Sequence, residues 1–133
     1  MGESLSELAG RVAPDGDLLV VEDSVDELER LRRETRAPNV SYLIGTLDVL
    51  PLTDSSADEV LATAVVRPGA AAECFRVLRP GGRVALAAVN EDVTGETLNL
   101  DPHELERLFV DAGFTSVSAT ADPGRVAVLA RRP

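Results

Sequence analysis

The residues able to do chemistry are few and scattered. His103 is the single histidine, set in Asp101-Pro102-His103-Glu104 with no cysteine nearby. A lone imidazole with no second histidine or cysteine nearby is seldom a metal ligand or a catalytic base, so no metal is expected. Cys74 is the single cysteine, which excludes a disulfide or a cysteine-based zinc site within one chain. It is expected to pack rather than react. Asp58 is expected to anchor the start of a strand. Glu22 ends an apolar run, with Asp23 beside it, and a carboxylate there can accept from two hydroxyls at once. Gly45 and Thr46 close the next run and could line a pocket; Thr46 can hydrogen-bond without bringing charge. No base has a partner to orient it, so no catalytic residue is assigned.

The elements that must position these residues alternate along the chain. Ser4 with Glu7, and Ser24 with Glu27, have capping-box spacing and predict helices over 4–12 and from Ser24 onward. Leu18–Val21 is a short apolar run expected as a buried strand, and Val40–Ile44 is expected as the next strand. Leu50-Pro51-Leu52 opens a loop that runs through Ser55 and Ser56. Glu59–Val66 is expected as a strand and Gly69–Leu78 as a helix. Pro80-Gly81-Gly82 is expected as a sharp turn into a strand over Arg83–Val89, followed by a polar, irregular stretch to Leu100. Asp101-Pro102 starts a helix and Gly113 ends it. Phe114–Ala119 and Arg125–Ala130 form a hairpin around Asp122-Pro123-Gly124. Strand-helix alternation with short links implies a mostly parallel sheet covered on both faces, with an antiparallel hairpin at its edge.

Composition bounds the rest. The 133 residues suit one domain spanning 1–133, and aromatics at 3% leave a core of Val, Leu and Ala. Asp and Glu total 23 against 13 basic residues, all arginine, for a net charge of −10. Such a chain repels phosphate backbones, so no nucleic-acid partner is expected. The balance fits either a GC-rich genome or a halophile, and both point to a prokaryotic cytoplasm. No apolar run approaches the ~20 residues of a membrane helix, so no membrane partner is expected. Met1–Gly10 has neither the basic start nor the apolar centre of a secretory signal.

In order, these segments resemble a class I S-adenosylmethionine-dependent methyltransferase of the small-molecule, type 11-like group. Val12 to Glu22 resembles the end of the first helix and the second strand, whose terminal acid binds the ribose hydroxyls; Glu22 falls on that position. Pro38 to Thr46, then Leu50-Pro51-Leu52, resembles the third strand and its loop. Gly45-Thr46 stands where the family usually has Gly-Asp facing the adenine amino group. Ser56-Ala57-Asp58-Glu59-Val60 resembles the opening of the fourth strand. Glu73-Cys74-Phe75-Arg76-Val77-Leu78-Arg79-Pro80-Gly81-Gly82 matches the family's Glu-x-x-Arg-Val-Leu-Lys/Arg-Pro-Gly-Gly, whose physics is mainly structural. Asp111-Ala112-Gly113-Phe114 resembles the exit of the last helix.

The resemblance implies a Rossmann-like α/β fold, S-adenosylmethionine as cofactor, and Glu22, Asp23, Gly45 and Thr46 as its contacts. It also exposes a gap. A complete member begins with a strand ending in Gly-x-Gly-x-Gly, and none of the 10 glycines here makes that pattern. The chain is expected to start inside the first helix, leaving the second family strand to meet the fourth, or a gap that another chain fills. Val65-Val66-Arg67-Pro68-Gly69 also replaces a longer stretch that normally walls the substrate pocket. The expected function is therefore a degenerate methyltransferase-like domain, not catalytic alone, with an interaction or regulatory role and a homodimer or partner protein. The alternative is an active small-molecule methyltransferase with an altered or partner-completed cofactor site. A third possibility is a longer natural protein.

Overall fold

The computed structural model describes residues 16–22, 24–34, 39–44, 47–64, 66, 69–89, 101–122 and 125–133. The expected helix over 4–12 and the stretch from Asn90 to Leu100 lie outside the described residues. The elements are β1 (Leu18–Glu22), α1 (Val25–Glu34), β2 (Val40–Ile44), β3 (Ala57–Ala64), α2 (Ala70–Val77), β4 (Leu78–Val89), α3 (Pro102–Asp111), β5 (Thr115–Asp122) and β6 (Arg125–Arg131). They build one six-stranded sheet in the order β2-β1-β3-β4-β6-β5. The first four strands pair in parallel; β6 runs antiparallel to β4 and to β5. This is the expected Rossmann-like α/β architecture with an antiparallel C-terminal hairpin.

Each strand is set by its apolar pattern. All five residues of β1 are buried, as a continuous apolar run in an inner parallel strand requires. On one face, Leu18 and Val20 pack with Leu31, Val40, Tyr42 and Leu61. On the other, Leu19, Val21, Val60, Ala62, Val84, Leu86, Val126 and Val128 form the main core with residues of α2 and α3. Alternation along the strands thus separates two layers.

Helix termini follow the predicted capping. Ser24 Oγ accepts from Glu27 N at 3.3 Å. Asp26 and Glu27 in the first turn of α1, and Arg32 and Arg33 in its last, oppose the helix dipole favourably. Asp101 caps α3 by accepting from His103 N at 2.9 Å, with Pro102 at the first helical position. Gly113 has φ +112, and a Cβ there would lie 2.9 Å from the Phe75 ring, so glycine is required for both backbone and packing.

Several boundaries differ from expectation; β5, expected over Phe114–Ala119, runs from Thr115 to Asp122. β3 begins at Ala57 rather than Glu59 and ends at Ala64 rather than Val66. Pro80-Gly81-Gly82 is not a turn before a strand but part of β4 itself. Ala57 pairs with Leu78 and Glu59 with Arg83, so Arg79–Gly82 bulge out against Asp58 alone. Gly81 takes φ +87 to make the bulge. The pairing continues beyond it: Gly81 N donates to Arg132 O and Arg132 N donates to Gly82 O, each at 2.8 Å.

β1 pairs directly with β3 through Leu18↔Glu59, Val20↔Leu61 and Glu22↔Thr63. These are the strands that the resemblance aligned with the family's second and fourth.

Candidate functional site

In a parallel α/β sheet, ligands bind beyond the carboxyl ends of the strands, where the strand order reverses. Here the chain passes from β1 outward to β2, then back across β1 to β3, so the reversal lies between β1 and β3. Glu22 is the last residue of β1, with Ile44 and Thr63 as its Cα partners on either side. The structure therefore places Glu22 at the carboxyl edge, where the resemblance put a ribose contact. Its side chain is only 6% exposed and already interacts within the protein. Asp23, Gly45 and Thr46 lie outside the described residues. Thr63 escaped sequence reasoning because only the strand register brings it beside Glu22.

The strongest motif sits at the opposite edge. Arg76 donates to Leu52 O at 2.8 Å, Leu50 O at 3.0 Å and Asp54 Oδ1 at 2.9 Å, and pairs with Glu73. The Arg76 hydrogen bond holds the Glu73 carboxyl below its usual pKa. This one guanidinium ties the loop after β2 to α2. Arg79 donates to Asp17 Oδ2 at 2.9 Å and to Asp58 Oδ2 at 2.7 Å, while Asp58 Oδ2 also accepts from Asp17 N at 2.7 Å. The Asp17 hydrogen bond is the main cause that raises the Arg79 pKa. Asp58 is thus an anchor that locks the starts of β1 and β3 to the β4 bulge. The motif from Glu73 to Gly82 ties together the loop after β2, α2 and the starts of β1 and β3.

The other singled-out residues follow the same pattern. Cys74 is fully buried in the core, and that burial pushes its thiol pKa up to about 12. His103 is exposed at the start of α3. Among the described residues no cluster of three or more metal-ligating side chains occurs. Arg132, next to the last residue, is half-buried. Its guanidinium donates to Phe75 O at 2.7 Å and to Leu78 O, and stacks 4.4 Å from the Phe75 ring centroid. It satisfies the end of α2, a role visible only once β6 is laid beside β4. Among the described residues no helix is long and apolar enough to cross a membrane.

Residues 1–86 match the family described as "Methyltransferase domain". The chain belongs to this methyltransferase family. Methyltransferase-family relatives include an arsenite methyltransferase of Halobacterium salinarum, 30% identical over 106 residues, covering 73% of this chain and 27% of that protein. An uncharacterized protein of transposon Tn4556 in Streptomyces fradiae is 35% identical over 111 residues, covering 79% of this chain and 31% of that one. The chain therefore spans under a third of the length of either relative. Among solved structures, the complex of the Haloferax volcanii Trm112 methyltransferase activator with a methyltransferase matches at TM-score 0.62 and 17% identity. That match covers 98% of this chain and 89% of the other, and it shows the methyltransferase fold.

Proposed function

We propose that this domain is a methyltransferase-family scaffold that does not transfer methyl groups by itself and has an interaction or regulatory role. The direct β1–β3 pairing carries this reading. In the family pattern the cofactor loop follows a strand lying between these two. Adjacent strands sit about 4.8 Å apart, so a strand cannot enter without breaking that whole ladder. S-adenosylmethionine is the cofactor the family points to, and Glu22 is the residue that would meet its ribose. The described residues do not make up its cradle: Glu22 is buried and engaged, and the β1–β3 junction is closed.

A second reading has one observation behind it. The Haloferax neighbour is a methyltransferase bound to an activator protein. A partner chain could complete a cofactor site at the carboxyl edge here, with Glu22 as this chain's contribution. Calorimetry with S-adenosylmethionine and S-adenosylhomocysteine tests whether this chain holds the cofactor by itself. We expect no saturable binding by the purified chain. Micromolar binding that Glu22→Gln abolishes would overturn the non-catalytic reading.

A further inference from the structure

We propose that the outer face of the β4–β6–β5 region carries an oxyanion site, with Arg83 and Arg131 as its cations. Glu59, Arg83, Arg131 and Thr115 are successive Cα partners across β3, β4, β6 and β5. Val84 and Ala130, the neighbours of the two arginines in sequence, belong to the main core. Strand alternation therefore puts Arg83 and Arg131 together on the opposite face. Like charges directly opposite on an antiparallel pair repel. The buried carboxylate of Glu59 pairs with Arg83 and compensates one of the two. Arg131 is exposed, and among the described residues its guanidinium has no ion pair. The chain has 23 acidic and 13 basic residues, so carboxylates are not scarce.

Two further observations mark the spot. A cavity of about 160 Å³ is lined by Arg83, Val84, Ser116, Leu129, Ala130 and Arg131. That is several times the roughly 30 Å³ a water molecule occupies in the liquid. Ser116 lies in a β-bulge, between the Thr115↔Arg131 and Ser118↔Leu129 pairs, with φ 53. A non-glycine residue in that left-handed region is strained, and such strain is concentrated at ligand clamps. Guanidinium groups match carboxylate and phosphate oxygens bidentately. Leu129, 56% exposed beside them, offers an apolar rest for an organic tail. The ligand is thus a small phosphorylated or carboxylated molecule.

The test is an amide chemical-shift titration of the whole chain with inorganic phosphate, with acetate, and with sodium chloride at equal ionic strength. Saturable shifts at Arg83, Val84, Ser116, Ala130 and Arg131 are expected. Arg131→Gln, an exposed change that leaves the core intact, is expected to weaken them about tenfold. Saturation by phosphate alone supports a phosphate-bearing ligand, and saturation by acetate as well supports a carboxylate. Equal shifts with chloride, no saturable shifts, or an unchanged affinity in Arg131→Gln would each overturn the site. None of these outcomes depends on whether S-adenosylmethionine binds at the carboxyl edge.

Discussion

Replacing Gly82 with alanine is expected to cost about 3 kcal/mol of stability, the upper part of the usual range for overfilling a packed site. A Cβ at this position would lie 2.8 Å from Asp58 O and 2.9 Å from Arg79 O. Both are backbone atoms and neither is free to retreat. Asp58 N donates to Asp17 O at 2.8 Å, and Gly82 O accepts from Arg132 N at 2.8 Å. The strain therefore spreads into β1, β3 and β6 together. Urea unfolding should show a lower midpoint with an unchanged slope. A cost below roughly 1 kcal/mol would mean that the bulge is free to shift, contrary to this packing.

Phe109→Ala should cost still more, about 4 kcal/mol. Among the described residues Phe109 is the largest fully buried side chain, and its ring centroid lies 5.4 Å from that of Phe114. Phe114 is itself buried and packed edge-on against Phe75 at 5.3 Å, so its ring cannot refill the space without giving up that contact. A domain of this size holds only about 5–15 kcal/mol in total, so the loss is a large fraction of its stability. Thermal or urea unfolding checks it. The two predictions probe different things: Gly82 tests the motif at the amino edge, and Phe109 tests the seat of α3 on the sheet.

Much of the architecture is legible from local signals. The run Leu18-Leu19-Val20-Val21, the caps at Ser24 and Asp101, and the stop at Gly113 act within a few residues of themselves. Their physics is short-ranged, so the elements form where those signals predict. The failures are long-ranged. Pro80-Gly81-Gly82 reads locally as a turn, but Asp58 and Arg132, distant in sequence, draw it into β4 as a bulge. Arg132 carries no local signal, because its partners Phe75 and Leu78 lie more than fifty positions away. The direct meeting of β1 and β3 stood as one of two alternatives, because strand register is a property of the assembled sheet. Of the four expected cofactor contacts, the structure places Glu22 at the carboxyl edge, while Asp23, Gly45 and Thr46 lie outside the described residues. Glu22 was found by resemblance rather than by any local pattern, and Thr63 beside it had no sequence signal at all.

The central claim is that β1 and β3 are hydrogen-bonded neighbours, closing the place where a cofactor-bearing strand would lie. Backbone nuclear Overhauser effects in the isotope-labelled protein test it directly. Strands about 4.8 Å apart give strong cross-strand contacts, whereas an intervening strand would separate β1 and β3 by roughly 10 Å and abolish them. The account predicts contacts linking Leu19, Val20 and Val21 with Val60, Leu61 and Ala62. Their absence, with both strands instead paired to a third, would contradict it.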